Sequence, residues 1–328
     1  MKIMLFKLGA YGDVLMSTPL VRAIRKKYPY CKLDYYCGKS YVDILKENKY
    51  ITNVIPFDQM IFFKKQFFKS IKLLNKIKKV KYNLGFVLDK HWTISLFLSM
   101  CNIKTRVGFS RGREGFTNTL NVKYGELKHE IDYYLDLGKL VNIEPCGYNM
   151  DMISCKTKFN QPTICIAPGG GNNPGVGDDA IRRWPVDKFI KLIDILSKKY
   201  IIILVGGETD VDIGREIISR IRNENNVSNL ISMHPITYSA YLMAQSNYVI
   251  CNDSGTMHMA SAVNKNIISL FGPSHPKRKA PLHKDSVAIW KDEDIYDSRY
   301  EVYGFKPKRN DYMKRIEVED VLRAIKWK

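Results

Sequence analysis

Three short stretches of the sequence combine glycines with charged side chains, and each follows an apolar run that predicts a β-strand. KLGAYGD places Asp13 and two glycines after the run IMLF. APGGGNNPGVGDDAIRRWP places five glycines before Arg182 and Arg183, and CNDSGTMHMASA places Asp253 before a turn and His258 after it. A carboxylate can act as a general base, and guanidinium groups can bind a diphosphate. The three stretches therefore indicate proton abstraction combined with phosphate binding.

The glycine spacings exclude two common nucleotide motifs. Residues 9–13 lack the G-x-G-x-x-G spacing, and the loop 169–179 does not end in G-K-[ST]. A strand that turns into a helix still directs backbone N–H groups toward an anion, and we expect this of residues 254–257. Structural alternatives remain open: Asp13 and Asp253 as helix N-caps, the two arginines as surface residues, and the histidine as a core residue.

Strand-like and helix-like patterns alternate along the chain, which predicts α/β domains with parallel sheets covered by helices on both faces. The chain has 328 residues, a length that suits two domains. The polar segment 146–161 predicts a link, after which the alternation restarts. We therefore expect two doubly wound domains that face a central cleft, residues 1–155 and 156–310, followed by a closing helix in 311–328.

The composition limits the classes of protein and partner. The formal net charge of +19 suits nucleic acid, an anionic membrane surface or acidic small substrates. Seven cysteines without a C-x-x-C pair indicate a reducing compartment. The sequence contains neither paired thiols nor clustered histidines, so no metal site is predicted. Lys7 and Asp13 interrupt the N-terminal apolar run, so no signal peptide is predicted. The sequence predicts a cytoplasmic protein.

A lysine-rich segment lies between Asp58 and Asp89, where no acidic residue occurs. FKKQFFKSIKLLNKIKKVK contains eight lysines, and its apolar residues at 63, 67, 71, 74 and 77 share one helical face. One interpretation is a helix with a core-facing stripe and solvated lysines. The other is a patch that attaches the protein to the inner face of the cytoplasmic membrane or to an anionic acceptor.

Taken in order, KIMLFKLGAYGDVLMSTPLVRAIRKKYP, APGGGNNPG with RRWPVDKFIKLI, LVGGE, and NDSGTMHMASAVNKNIISLFGPSHP resemble glycosyltransferase family 9. That family contains the ADP-heptose:lipopolysaccharide heptosyltransferases. The resemblance implies a GT-B fold whose last helix returns to the first domain. It also implies an inverting, metal-independent transfer, without a cofactor, from a nucleotide-diphospho-sugar such as ADP-heptose to an anionic lipopolysaccharide or lipooligosaccharide core glycolipid.

The resemblance also implies roles for individual residues. Asp13 matches the general base, Arg182 stands where the family usually has the lysine that neutralises the leaving diphosphate, and Lys7 matches a basic residue that faces the acceptor sugar. Asp253 matches the acid that contacts the donor sugar, and Glu208 is a candidate for the nucleoside. The donor-binding residues expected in this way are Gly12, Arg183, Glu208, Asp253, Ser254, Gly255, Thr256, Met257 and His258.

Other functions remain as alternatives. A family 9-type transferase with a different nucleotide sugar or acceptor would keep the fold and the mechanism. An epimerase on the same scaffold would turn over the donor without an acceptor. The charge suggests a nucleic-acid-binding module, but the basic segment is lysine with apolar spacing and contains no recognisable RNA or DNA motif, so no nucleic acid is expected.

Overall fold

The computed structural model describes the chain except residues 65, 154–156, 171, 174–176, 179, 308 and 327–328, and describes only the backbone of 172–173 and 177–178. It divides into two compact units, Met1–Met152 and Ile153–Lys328. The predicted boundary at 155 falls on a residue outside the described ones.

The first unit is a six-stranded parallel sheet in the order β3-β2-β1-β4-β5-β6. Its strands are β1 (Lys2–Lys7), β2 (Lys32–Gly38), β3 (Asn53–Phe57), β4 (Leu84–Val87), β5 (Thr105–Ser110) and β6 (Leu120–Lys123). Its helices are α1 (Tyr11–Met16), α2 (Thr18–Lys27), α3 (Met60–Phe63), α4 (Phe67–Val80), α5 (Trp92–Ser99) and α6 (Glu130–Lys139). Central strands are continuous apolar runs because helices cover both faces of the sheet.

The second unit is a six-stranded parallel sheet in the order β11-β10-β7-β12-β13-β14. Its strands are β7 (Thr163–Ala167), β10 (Ile201–Leu204), β11 (Val227–Asn229), β12 (Tyr248–Asn252), β13 (Ile267–Phe271) and β14 (Val287–Trp290), and β8 (Asn172–Asn173) pairs with β9 (Gly177–Asp178) in the loop after β7. Its helices are α7 (Val186–Leu196), α8 (Val211–Arg220), α9 (Ile236–Gln245), α10 (Gly255–Val263), α11 (Pro276–Lys279), α12 (Ser298–Tyr303) and α13 (Val318–Ala324).

Both sheets have the strand order of a Rossmann fold, so the α/β prediction with two doubly wound units is confirmed. In each sheet the direction of the connections reverses at the centre, between β1 and β4 in the first unit and between β7 and β12 in the second. Ligands of open α/β sheets bind at the carboxyl ends of the strands beside this reversal. The residues that follow these four strands are therefore the first place to search for a site.

The last helix packs within the second unit. That residues 311–328 return to the N-terminal domain stays a prediction. Val318, Val321 and Ile325 are at most 2% exposed and join the apolar cluster that contains Trp184. The helix is only seven residues long. Its apolar face is therefore already buried against the sequence-distant residues of its own unit.

The prediction of one core-facing stripe in the lysine-rich segment holds only for its second half. Ile77 is buried and Leu74 is half-buried. Phe67 is 70% exposed and Ile71 is 38% exposed, while Phe63 ends the separate helix α3 and is 43% exposed. The break between α3 and α4 prevents these apolar residues from forming one continuous face.

Replacing Asp292 by asparagine is expected to raise the melting temperature at neutral pH and to leave it nearly unchanged near about pH 4. Burial raises the pKa of Asp292 to about 6, even though Arg315 Nη1 lies 3.2 Å from its Oδ1 atom. The folded protein therefore holds a proton that the unfolded chain releases at lower pH, and this carboxyl makes folding less favourable as the pH rises from about 4 to about 6. Thermal unfolding at both pH values measures the effect.

The matched control is Asp294→Asn, because the hydrogen bond from Arg315 holds the pKa of Asp294 below its usual range. That carboxylate contributes stability above its unfolded pKa, so this variant is expected to lose stability at neutral pH rather than gain it. A gain of the same size in both variants would contradict the assignment to Asp292.

Candidate functional site

The carboxyl ends of β1 and β4 bring together a lysine and two carboxylates. Lys7 is the last residue of β1, and Asp89 follows β4 on the adjacent strand. The Nζ atom of Lys7 lies 2.9 Å from Asp89 Oδ1 and 3.2 Å from Asp13 Oδ2. Asp89 was not predicted from the sequence, and its position after the apolar run LGFVL is the only signal of it.

The two carboxylates of this cluster differ in exposure. Burial by itself would lower the pKa of Lys7, but Asp13 and Asp89 together raise it, so the ammonium stays charged. The Asp89 side chain is 10% exposed and also accepts a 2.7 Å hydrogen bond from the Leu8 N–H. The Asp13 side chain is 33% exposed. Asp13 is therefore the carboxylate of the pair that a ligand can reach.

Local backbone geometry excludes the N-cap interpretation of Asp13. The N-cap residue of α1 is Ala10, and Asp13 is in the first turn of the helix. Gly12 is buried in the same turn. Gly9 has a φ of +155°, and a Cβ atom there would lie 2.2 Å from Cε2 of Tyr41, so only glycine fits at this turn.

The carboxyl ends of β7 and β12 are joined by Asn252, which is fully buried. Its Nδ2 atom donates to the carbonyl oxygens of Pro168 and Gly169, at 2.9 and 3.0 Å. Its Oδ1 atom accepts a 3.1 Å hydrogen bond from the Trp184 N–H. The amide therefore fixes the glycine-rich loop and the RRWP segment beside the end of β12.

This arrangement brings Arg182 to Asp253. The Nη1 atom of Arg182 donates to the carbonyl oxygen of Asp253 at 3.3 Å and lies 3.8 Å from its Oδ2 atom. Arg183 Nε donates to the Gly170 carbonyl oxygen at 2.6 Å. Arg182 ends the 3-10 turn Ala180–Arg182, and Arg183 follows it. Neither arginine lies at the start of α7, which begins at Val186.

Asp253 is ionised although its side chain is only 2% exposed. Burial by itself would raise its pKa, but Lys279 and Arg182 outweigh burial and hold the pKa below its usual range, with a smaller contribution from His258. Lys279 Nζ lies 3.7 Å from Oε1 of Glu301, which is 1% exposed. Neither Lys279 nor Glu301 was predicted. Two cations therefore flank the carboxylate, and one of them is held by a second buried acid.

Helix α10 begins at this carboxylate. Its N-cap is Ser254, so the N-cap interpretation of Asp253 is wrong. The Met257 N–H donates to the Ser254 carbonyl oxygen at 3.1 Å, which leaves the amides of 254–256 at the helix start. Ser254 is 6% exposed, and its hydroxyl has no hydrogen-bond partner among the residues that the structure describes. His258, in the same helix, is 5% exposed.

The glycine turn after β7 approaches this helix start. Gly170 has a φ of +113°, and a Cβ atom there would lie 2.5 Å from the Ser254 Cβ atom. Asp210 accepts hydrogen bonds from the Gly170 and Gly207 N–H groups, at 3.2 and 2.9 Å, and so joins the turns after β7 and β10. Glu208, the predicted residue of this stretch, is exposed, whereas the unpredicted Asp210 is buried.

The predicted site residues therefore form two groups. Lys7, Gly12 and Asp13 lie in the first unit, and the donor-side residues from Arg182 to His258 lie in the second. Residues 171, 174–176 and 179 of the predicted glycine loop lie outside the described residues.

In the described part of the chain, no group of three or more histidines, cysteines and acids could hold a metal ion. Within the same part, none of the helices combines the length and the apolar character that crossing a membrane requires.

Residues 70–306 match the family model of glycosyltransferase family 9 (heptosyltransferase). The match spans well over half of the chain, so the protein belongs to this family and is a glycosyltransferase.

Among curated proteins, the chain is similar to lipopolysaccharide heptosyltransferase 2 of Escherichia coli K12, at 24% identity over 314 residues, which covers 88% of this chain and 87% of that protein. Among solved structures, it is similar to the E. coli ADP-heptose lipopolysaccharide heptosyltransferase II, with a TM-score of 0.77, 20% identity, and coverage of 99% and 97%. An E. coli heptosyltransferase solved with ADP has a TM-score of 0.76, 13% identity and 98% coverage of both chains. The GT-B fold class is confirmed.

Proposed function

We propose that this protein transfers heptose from ADP-heptose to a lipopolysaccharide or lipooligosaccharide core acceptor, with inversion and without a metal ion. The names of its relatives support the donor and the acceptor. The mechanism rests on one observation, a cluster of charged side chains at the carboxyl ends of the central strands in each unit. The first unit has a partly exposed carboxylate there, and the second has cations at a helix start.

On the acceptor side, Asp13 is the general base. One of its carboxylate oxygens takes the proton of the acceptor hydroxyl as the hydroxyl oxygen attacks the anomeric carbon of the donor sugar. Lys7 was expected to face the acceptor sugar, but its side chain is only 5% exposed and contacts two carboxylates. Its role in the proposal is therefore to orient Asp13 and to keep it ionised.

On the donor side, the bond between the anomeric carbon and the diphosphate oxygen breaks, and ADP leaves with the electron pair. Attack from the face opposite the leaving group inverts the anomeric centre. Arg182 and the amides of Ser254, Gly255 and Thr256 stabilise the negative charge on the departing diphosphate. Asp253 accepts hydrogen bonds from donor sugar hydroxyls, and Glu208 binds the nucleoside.

The nucleotide preference tests this proposal. We expect ADP and ADP-heptose to raise the melting temperature, because a ligand present at about 100 times its Kd stabilises the native state by about 2.7 kcal/mol. UDP and GDP at the same concentrations are the comparison. Preference for UDP or GDP would reassign the donor and keep the fold, and no response to any nucleotide would contradict the donor site.

The second arm of the experiment incubates ADP-heptose with a truncated lipopolysaccharide core and looks for a mass increase of one heptose in the acceptor. Conversion of ADP-heptose to an isomer in the absence of acceptor would favour the epimerase alternative instead.

A further inference from the structure

The solvent-facing side of α4 carries bulky apolar residues that the sheet does not use. Phe67 is 70% exposed and Phe68 is 85% exposed, and Ile71, one turn further along the helix, is 38% exposed. The rings of Phe67 and Phe68 contact each other at a centroid distance of 6.0 Å. Exposing two adjacent phenylalanines to water is unfavourable, so this apolar edge indicates a surface that contacts something less polar than water.

A row of lysines follows the neighbouring side of the same helix. Lys69, Lys72, Lys76 and Lys79 recur at intervals of three and four residues and therefore share one side. All four are exposed. None of them has an ion-pair partner among the described residues, and no acidic residue occurs in α4. The positive charge of this row is therefore uncompensated by its own helix.

The lysine row borders a groove of about 850 Å³ in the first unit. Five lysines line it, the four of the row and Lys39, against a single acid, Asp58. Phe57, Ile61 and Leu73 supply apolar walls. The groove therefore has more cationic than acidic side chains and also has apolar walls. This combination suits a ligand in which phosphate groups are attached to hydrocarbon.

We propose that the exposed side of α4 is a membrane-docking surface, on which Phe67, Phe68 and Ile71 enter the headgroup region while the lysine row binds the phosphates of anionic phospholipids. Apolar residues beside a lysine-rich polar face are the features of a helix that lies in the plane of a membrane interface. A nucleic-acid site would need aromatic residues that stack on bases between arginines and lysines, whereas in α4 the aromatic pair is confined to the first turn and the basic residues include no arginine. This proposal goes beyond the transfer reaction and does not depend on the identity of the donor.

Co-sedimentation of the full chain with vesicles tests the surface. We expect the protein to pellet with vesicles of phosphatidylcholine and phosphatidylglycerol, to stay in solution with phosphatidylcholine alone, and to be released by about 1 M salt, where the Debye length falls to about 3 Å. Each lysine near an anionic surface contributes about fivefold to partitioning. Lys72→Gln combined with Lys76→Gln is therefore expected to weaken binding by roughly 25-fold.

The apolar edge is tested separately by Phe67→Ser with Phe68→Ser, which keeps every lysine and should also release the protein from anionic vesicles. The matched controls are Lys265→Gln with Lys284→Gln, two exposed lysines of the second unit, and Phe305→Ser, an exposed aromatic of that unit. Circular dichroism confirms that the variants fold.

Three results would overturn the proposal. The first is no pelleting with phosphatidylglycerol vesicles at low salt. The second is an equal loss of binding in the lysine variant and its control, which would mean that net charge alone acts. The third is binding that the phenylalanine variant leaves unchanged while a single-stranded oligonucleotide competes it away, which would assign the lysine row to nucleic acid.

Discussion

Replacing Asp13 by asparagine is expected to lower kcat by about 10²–10⁴-fold, the range that a positioned general base contributes. Asparagine keeps the size of the side chain and can still accept a hydrogen bond from Lys7, but it cannot take up the acceptor proton. Because Asp89 retains its 2.9 Å contact with Lys7, the buried ammonium stays paired in the variant. The loss of activity should therefore come without unfolding.

Initial rates of heptose transfer measure this effect, and two further readouts separate a base from a structural ion pair. The melting-temperature shift caused by ADP should be unchanged, because Arg182 and the start of α10, where the diphosphate is proposed to bind, are in the second unit. The free energy of unfolding should fall by no more than about 1 kcal/mol, since a partly exposed ion pair contributes little. Asp43→Asn, an exposed carboxylate of the first unit, is the matched control. Activity within a few-fold of the starting protein would return Asp13 to a purely structural role.

Replacing Arg182 by alanine is expected to lower kcat by about 10²–10³-fold, the cost of removing one group that stabilises charge developing in a transition state. It should also weaken ADP binding, because the guanidinium lies 3.8 Å from Asp253 at the start of α10, where the diphosphate is proposed to bind. Asp253 keeps Lys279 as a cationic neighbour, so the buried carboxylate is not left without a positive charge.

Arg182→Lys is the informative companion, because it keeps the charge and loses the planar fork of the guanidinium. We expect it to recover most of the activity, since a lysine ammonium supplies the same positive charge beside the leaving diphosphate. Steady-state rates and ADP affinity should be measured for both variants and for Arg220→Ala, an exposed arginine of the same unit. Equal activity of the alanine and lysine variants would show that charge at this position does not act on the leaving group.

The sequence allowed prediction of the residues that lie next to a strand–turn–helix junction. Asp13 and Arg182 follow an apolar run and a glycine turn, and Asp253 directly follows the apolar run of β12 and precedes a Ser-Gly turn, so their proximity to a strand end is local information. The fold class was equally accessible, because buried parallel strands are continuous apolar runs.

Residues whose partners are distant in the chain could not be found in this way. Asp89 meets Lys7 only because β4 pairs with β1, and the sequence does not state that strand order. Lys279 and Glu301 are placed beside Asp253 by packing between segments with no shared motif. In the lysine-rich segment, the spacing of the apolar residues correctly predicted a helix. The break before Phe67 changed which of these residues are buried against the core.

The RRWP segment depends on the end of the chain in a way that bears on folding during synthesis. Trp184 Nε1 donates to the carbonyl oxygen of Ile316 at 3.0 Å, a contact across 132 residues, and Lys188 Nζ donates to the same oxygen at 2.7 Å. The first unit has its own sheet within residues 1–152 and can fold while the ribosome is still extending the chain. The surroundings of Arg182 are completed only when Ile316 has emerged, so donor-side competence is acquired last.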